Sequence, residues 1–180
     1  MAEFYHGVGK GKENLVSIVL GTGIGGSIIV DKKVIQTKNC FSGEFGYIFI
    51  DEENEKTWED LDGSVVSIVN RIYKTDARYK EYSGQELFDQ YKRDAVLTPI
   101  LQKFYKRVAI GCYNIQAILD PDLIIIGGAI SSRTDIIPNI MEQMNGLMEK
   151  RALPKLPNVI AATHKNDANL LGAYLNFINV

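Results

Sequence analysis

Residues Leu15 to Val30 read LVSIVLGTGIGGSIIV. The glycines at 21, 23 and 26 match the pattern G-x-G-x-x-G, which in dinucleotide-binding proteins opens a helix. After Gly26 come Ser-Ile-Ile-Val and then Asp-Lys-Lys, and β-branched residues ahead of a turn favour a strand. We therefore predict two strands joined by a glycine turn, and not the strand-to-helix unit of a Rossmann domain.

The glycine turn itself suggests a ligand. Residues 21–26 contain four glycines, whose bare main chain lets an anion approach the backbone N–H groups closely. Thr22 adds a hydroxyl between two of them. The alternative is a hairpin that uses glycine only for positive φ angles, for which two or three glycines suffice.

The remaining chain predicts an α/β domain with a mixed sheet flanked by helices. Leu123–Ile126 is wholly apolar, which is typical of a strand covered on both faces of a parallel sheet. Apolar residues at helical spacing mark the long helix at 95–119, which Pro121 ends. The other predicted elements are strands at 34–37, 45–50 and 157–160, and helices around 65–73, 84–91, 136–147 and 169–177.

Composition excludes several classes of protein. The net charge is −2, and no basic run interleaved with aromatic residues suggests nucleic-acid binding. The apolar runs fall short of the about 20 residues that a membrane span needs, and the N-terminus lacks an apolar signal core, so we expect a cytoplasmic protein. Cys40 and Cys112 are far apart and lack zinc-ligand spacing, so both are expected to be reduced, with Cys112 structural on a buried helix stripe.

Four segments together resemble a known family. They are GTGIGG at 21–26, SGEFGY at 42–47, DPDLIIIGGAIS at 120–131 and NDANLLGAY at 166–174. Their order and spacing are similar to those of the ROK family (repressors, open reading frames, kinases), and the resemblance covers essentially the whole chain. It implies the ribonuclease H-like (actin-like ATPase) fold of sugar kinases and sugar-responsive repressors.

The resemblance assigns a nucleotide site. In similar kinases the glycine turn holds ATP phosphates, which would fall to Gly21, Thr22 and Gly23. A strand followed by two glycines forms part of the adenosine pocket, which matches Gly127 and Gly128. The alternative for these two glycines is close packing of a strand against a helix.

The resemblance also assigns a sugar site. The family segment G-E-x-G-H holds sugar hydroxyls; here Glu44 matches its glutamate, and Tyr47 replaces its histidine. That histidine usually joins a zinc site with a cysteine cluster, whose place is taken here by DEENEKTW at 51–58, so zinc is predicted to be absent. Glu59 matches a further sugar-binding glutamate, the alternative being a merely solvated carboxylate.

The catalytic segments of the family do not occur before Gly21. Phosphoryl transfer needs a base for the attacking hydroxyl and a holder for Mg²⁺. Family kinases take these from D-x-G-G-T and N-D-x-N motifs, and residues 1–7 resemble the helix that follows the second motif. Asp167 lies in a late N-D-A-N and is interpreted as a helix-start residue. No catalytic residue is therefore expected in this chain, and the base is expected upstream of Met1.

These observations predict that residues 1–180 are a single C-terminal lobe without its N-terminal lobe. The resemblance implies a lobe of an ATP-dependent, Mg²⁺-requiring hexose kinase, inactive alone, with ATP and a sugar as ligands. The alternative is the sugar-sensing lobe of a ROK repressor, and a third reading is a degenerate lobe retained for dimerisation. A homodimer is expected, with no membrane and no nucleic acid bound through this lobe.

Overall fold

The computed structural model describes residues 1–151, 155–164 and 168–178. None of the helices in these ranges is long and apolar enough to cross a membrane. In chain order the elements are α1 (Ala2–His6), β1 (Leu15–Leu20), β2 (Ile24–Val30), β3 (Lys33–Val34), β4 (Phe49–Asp51), β5 (Lys56–Thr57), α2 (Val65–Thr75), α3 (Gly84–Asp89), α4 (Leu97–Leu119), β6 (Leu123–Gly127), α5 (Ile136–Arg151), β7 (Val159–Ala161) and α6 (Ala168–Ile178). Short 3-10 helices cover Phe45–Tyr47, Ala77–Glu81 and Ala129–Ser132.

The main sheet is mixed, with the strand order β3-β2-β1-β6-β7. The first three strands of the chain form an antiparallel meander, in which Leu20 of β1 lies opposite Ile24 of β2. In contrast, β6 runs parallel to β1 and β7, and Val19 lies opposite Gly127. The predicted hairpin at residues 15–30 is therefore confirmed, because β2 continues as a strand through Gly26.

The sheet carries apolar clusters on both faces. Along β6, Ile124 and Ile126 join the large cluster that contains the buried stripe of α4. The alternate residues Leu123 and Ile125 join a smaller cluster on the other face. All five residues of β6 are buried, as predicted for a strand covered on both sides.

The predicted strand at 45–50 is wrong over its first half. Phe45–Tyr47 form a 3-10 helix, and only Phe49–Asp51 extend, in a separate two-stranded sheet with β5. Gly43 has φ +91°, so the chain turns there and Phe45 N–H donates to the Gly43 carbonyl at 2.8 Å. The N–H groups of Phe45 and Tyr47 thus bond to carbonyls within the turn and are not free to pair with a neighbouring strand.

The third strand is also shorter and earlier than predicted. It covers Lys33–Val34 and not 34–37. Asp31 and Lys32 both have positive φ, so they form a tight turn directly after β2.

Asp122 aligns the two central parallel strands. After α4, Asp120 takes a left-handed conformation ahead of Pro121, and the carboxylate of Asp122 accepts from the N–H groups of Glu13 and Asn14, both at 3.0 Å. The hydrogen bond from Asn14, then that from Glu13, lower the pKa of Asp122. The starts of β1 and β6 are tied together, so their carboxyl ends meet at one edge of the sheet.

Candidate nucleotide and sugar site

The glycine turn at residues 21–23 is tied to the start of α2. Within the turn, Gly21 N–H donates to the Gly23 carbonyl at 3.1 Å. Ser64, fully buried, donates its hydroxyl to the Thr22 carbonyl at 2.9 Å, and Val66 N–H donates to the Gly21 carbonyl at 3.2 Å. The same Ser64 hydroxyl caps α2 by accepting from Ser67 N–H. One buried side chain therefore sets the turn against the positive end of a helix.

The four glycines of 21–26 differ in the space beside them, which a Cβ atom built at each position reveals. A side chain at Gly26 would overlap the Ser17 carbonyl and the Phe45 ring, and one at Gly23 would lie 2.9 Å from the Glu59 carboxylate. At Gly21 and Gly25, by contrast, a Cβ would meet nothing within 4 Å. None of the four has a positive φ. Packing against backbone therefore explains Gly26, Gly23 borders the movable Glu59 carboxylate, and Gly21 and Gly25 leave open space beside the main chain.

The Gly127-Gly128 corner lies at the same sheet edge. Gly128 has φ +89°, and a Cβ there would overlap the carbonyl of Leu20, the last residue of β1. Gly127 is less constrained, since a Cβ would make an ordinary contact of 3.5 Å with Val19. Clefts at the carboxyl ends of parallel strands are where α/β sheets bind ligands.

A cavity of about 290 Å³ opens beside this corner. Its walls come from the start of α2, from α3 and from the 3-10 helix after β6. The lining residues are Val65, Gly84, Gln85, Phe88, Ala129, Ile130, Ser132 and Arg133. A partly apolar cavity with a few polar groups suits a flat organic ring.

Arg133 fixes the far wall of this cavity. Its guanidinium pairs with Asp89 and Asp135, each at 2.8 Å, and lies 5.7 Å from the centre of the Phe88 ring. Burial alone would lower the pKa of Arg133, but hydrogen bonds to Asp135 and Asp89 raise it above the ordinary value. Its ion pairs with Asp89 and Asp135 therefore connect α3 to the segment after β6.

On the sugar side, Phe45 and Gly43 hold the segment that carries Glu44. Phe45 is buried against Gly26, and a Cβ at Gly43 would lie 2.6 Å from the Gly26 carbonyl. Glu44 and Tyr47 remain exposed, Tyr47 to 61%. The segment is thus anchored on β2 and presents its polar side chains outward.

Glu59 links the sugar segment to the glycine turn. Its N–H donates to the Gly46 carbonyl at 3.1 Å, and its carboxylate reaches the space beside both Gly46 and Gly23. The preceding Trp58 is fully buried, with its ring against Gly111 of α4, and its main-chain N–H donates to the Ile48 carbonyl at 2.8 Å. Gly23, predicted for the nucleotide, and Glu59, predicted for the sugar, are thus brought together by one carboxylate.

Sequence reasoning missed Ser64, Trp58 and Arg133. Ser64 carries a recognisable signal, because a serine directly before an apolar helix is an N-cap pattern. Trp58 is the single tryptophan, but nothing local shows that Gly111, far along the chain, provides its slot. Arg133 has only a weak local signal, Asp135 two residues on, because its other partners, Asp89 and the Gln85 carbonyl, lie on α3.

The cysteines and the remaining carboxylates add no metal site to this picture. Within the described ranges, no group of three or more His, Cys, Asp or Glu side chains could hold a metal ion, and the expected absence of zinc stays a prediction. Cys40 is exposed and Cys112 is buried; burial raises the pKa of the Cys112 thiol to about 12, as expected for a structural cysteine. Asp167 lies outside the described residues.

Comparisons with known proteins identify the family. The sequence profile of the ROK family matches residues 1–179. A beta-glucoside kinase from Listeria monocytogenes is 30% identical over 184 residues, covering 99% of this chain and 61% of that protein. An N-acetylmannosamine kinase from Vibrio cholerae is 30% identical over 168 residues, covering 91% of this chain and 57% of that protein.

A solved structure agrees with the sequence comparison. The crystal structure of a ROK family protein from Streptococcus pneumoniae in complex with sucrose superposes with a TM-score of 0.86 and 26% identity, covering 94% of this chain and 59% of that one. The fold is therefore the ribonuclease H-like, actin-like ATPase fold predicted from the sequence. The chain spans about three fifths of the length of these relatives.

Proposed function

This chain belongs to the ROK family, and on that premise we propose that it is the C-terminal lobe of an ATP-dependent sugar kinase. The observation that carries the proposal is the meeting of an open glycine turn, a Gly-Gly corner and a carboxylate at one edge of the sheet. The N-terminal lobe, with the catalytic base, would be supplied by a segment ahead of this one. The share of its kinase relatives that the chain covers supports this division.

The exposed face of α6 also supports a missing lobe. Leu170, Tyr174 and Phe177 recur at helical spacing and are 77%, 60% and 82% exposed. An apolar stripe this exposed on a terminal helix is typical of a surface that another protein segment covers. A homodimer would cover it as well, and that assembly stays a prediction.

In this proposal the nucleotide lies along the sheet edge. The main-chain N–H groups of Gly21, Thr22 and Gly23 hold phosphates, in the space that Gly21 and Gly25 leave open. Gly127 and Gly128 form the floor of the nucleoside pocket, and the cavity lined by Phe88 and Ile130 receives the base. When bound, ATP with Mg²⁺ supplies the phosphoryl group.

The carboxylates then orient the sugar. Glu44 and Glu59 accept hydrogen bonds from sugar hydroxyls, and Tyr47 closes the same pocket. Because the Glu59 carboxylate also borders Gly23, a sugar bound to it is brought towards the phosphates. This chain therefore binds and orients both substrates, while proton removal from the attacking hydroxyl falls to the other lobe.

A sugar-sensing repressor lobe is less well supported. A ROK family transcriptional regulator matches with 22% identity, which indicates the shared fold alone. A sensing lobe would need the sugar pocket but would have no use for open main chain at Gly21 and Gly25. Nucleotide binding therefore separates the two functions.

The test measures binding and turnover on the 180-residue chain. We expect a non-hydrolysable ATP analogue to shift the amide resonances of residues 21–26 and 127–133 in a two-dimensional NMR spectrum. A coupled ADP-release assay with glucose, mannose and N-acetylmannosamine should show no sugar-dependent turnover. Absence of any analogue-induced shift would overturn the nucleotide site, and sugar-dependent ADP release by this chain would overturn its assignment as an incomplete lobe.

A further inference from the structure

A second cavity lies between α2 and α4 and has a volume of about 210 Å³. Three of the residues that line it are cations and three are apolar: Arg71, Lys103 and Arg107, and Ile68, Pro99 and Ile100. None of the six lines the cavity beside the Gly127-Gly128 corner. We refer to this space as the α2–α4 cavity.

The three cations meet at this cavity because of where they lie on the two helices. Lys103 and Arg107 are four residues apart on α4 and therefore share one face. Arg71 lines the same cavity from α2. Like charges gathered in this way repel one another, so the arrangement favours an added negative charge.

The carboxylates of the protein neutralise this group of cations only in part. Asp62 pairs with Arg71 at 2.5 Å, and both side chains are partly exposed. Among the described residues, by contrast, no ion pair includes Lys103 or Arg107. Three cations thus share one ion-paired carboxylate, and the cavity keeps an excess of positive charge.

Arg107 has the strongest need for an anion. Its guanidinium has five N–H donors, and the described residues supply one acceptor, the neutral Leu61 carbonyl. Burial is the main influence on the pKa of Arg107 and lowers it, while Asp62 raises it and Arg71 lowers it further. Because a partly buried and incompletely paired cation is costly, a bound anion would stabilise this side chain.

From these residues we propose that the α2–α4 cavity binds a phosphate monoester, with its phosphate on Lys103 and Arg107 and its organic group on the apolar wall. A guanidinium matches phosphate oxygens with two parallel hydrogen bonds, and a dianion suits several cations better than the single charge of a carboxylate. The wall of Ile68, Pro99 and Ile100 would stay in contact with water beside a free phosphate ion, whereas an organic group covers it. This ligand site is additional to the proposed nucleotide and sugar site.

The α2–α4 cavity is separate from the glycine turn. Val66, at the start of α2, bonds to the Gly21 carbonyl, whereas Arg71 lies five residues further along, about 7.5 Å at the rise of a helix. In addition, α4 contributes no residue to the lining of the cavity at the corner. A phosphate in the α2–α4 cavity should therefore shift a different set of amide resonances from a phosphate at residues 21–26.

Two-dimensional NMR titrations of the 180-residue chain test this proposal with three ligands, at about pH 7.5, where a phosphate monoester is a dianion. Phenyl phosphate has the dianion and an organic ring, inorganic phosphate has the anion alone, and phenyl sulfate has the ring with a single negative charge. We expect phenyl phosphate to shift the amide resonances of residues 68–71 and 100–107. It should bind about 3- to 10-fold more tightly than either of the other two ligands.

Variants on α4 localise the binding. Lys103→Gln should weaken phenyl phosphate binding by about 3-fold, and Arg107→Lys, which keeps the charge but loses the planar fork, by about 5-fold. Lys106→Gln is the matched control and should leave the affinity unchanged. Like Lys103, Lys106 is exposed and borders the neighbouring groove with Glu142 and Glu149, but it does not line the α2–α4 cavity.

Several results would overturn the proposal. The first is the absence of phenyl phosphate shifts in residues 100–107. Equal weakening in Lys103→Gln and Lys106→Gln would mean that α4 attracts anions only through its overall charge. Equal affinities for phenyl phosphate and inorganic phosphate would assign the cavity to the free ion, and equal affinities for phenyl phosphate and phenyl sulfate would remove the preference for a dianion. Shifts on α4 that disappear in Gly21→Ala would belong to the glycine turn.

Discussion

At the sheet edge, the turn at 21–23 and the corner at 127–128 offer a ligand mostly main chain, whereas the loop of residues 41–62 offers side chains. The first region joins paired strands and a helix start, and its geometry follows from the sheet. The second has little regular structure and exposes Phe41, Glu44, Tyr47 and Glu59. The proposed nucleotide side is thus set by backbone geometry, and the proposed sugar side by the choice of side chains.

This difference assigns a different task to each half of the site. If the turn holds phosphates as proposed, the ligand group is the same in every kinase, and a backbone turn that tolerates few residue types suits it. The sugar differs among relatives, as the names of the beta-glucoside and N-acetylmannosamine kinases indicate. A loop pinned by the buried Phe45 and Trp58 can change its exposed residues without disturbing the sheet.

The largest effect is expected where the sugar loop enters the core. Trp58→Ala removes a fully buried indole that lies between Gly63 and Gly111, so the free energy of unfolding should fall by about 3–5 kcal/mol. Urea denaturation measures this change. Phe49→Ala, on the exposed side of the same loop, should stay within about 0.5 kcal/mol of the parent. Similar losses in both variants would mean that Trp58 does not anchor the loop.

The next largest effect is a difference in stability between alanine variants of Gly127 and Gly128. Gly128→Ala forces a side chain into a left-handed conformation and against the Leu20 carbonyl, at a cost of about 2–3 kcal/mol of stability. Gly127→Ala adds a methyl group at contact distance from Val19 and should change stability by less than about 1 kcal/mol. Thermal and urea unfolding of the pair provide the measurement, and equal losses would contradict the backbone argument.

Ser64→Ala tests the link between the helix and the turn. Loss of the N-cap should lower stability by about 1–2 kcal/mol and should also release the Thr22 carbonyl, so binding of an ATP analogue should weaken. The matched control is Asp76→Ala, which removes the side-chain cap of the 3-10 helix Ala77–Glu81 and leaves the turn and the cavity lining intact. Nucleotide binding that falls equally in both variants would show that general destabilisation, and not the Thr22 contact, is responsible.

The smallest effect on stability is expected at Gly21. A Cβ there meets nothing within 4 Å, so Gly21→Ala should change the free energy of unfolding by no more than about 0.5 kcal/mol. The methyl group would nevertheless occupy the space proposed for phosphate, and affinity for an ATP analogue should fall about 10-fold or more. Gly146→Ala on α5, equally open, is the control and should leave that affinity unchanged. Unchanged binding in both variants would remove the turn from the nucleotide site.

Local patterns predicted the elements whose hydrogen bonds are local or whose faces are uniformly apolar. The stripe of α4 and the all-apolar β6 are such cases, and both lie where the sequence places them. The segment 45–50 misled prediction because its residues favour a strand one by one, while Gly43 and the packing of Phe45 on Gly26 impose a turn. Residue preference was overruled there by a contact between distant parts of the chain.

For the candidate site too, the sequence predicted which residues take part but not how they are arranged. Glycine and glutamate positions were predicted from motifs, because bare main chain suits phosphates and carboxylates suit sugar hydroxyls, and these roles stay predictions. Their arrangement was not, since the reach of Glu59 to Gly23 depends on a tryptophan seated against a helix that begins almost forty residues further on.

By itself, the sequence determined the hairpin of β1 and β2, the family and the residue types offered to a ligand, because these depend on short-range spacing and backbone preference. Only the tertiary structure decided that Ser64 fastens the glycine turn to α2, that Gly128 is required by its φ angle, and that the rings of Phe41 and Tyr47 lie 5.5 Å apart. Those contacts join residues that the linear order keeps apart, and packing and hydrogen bonding in the folded chain select them.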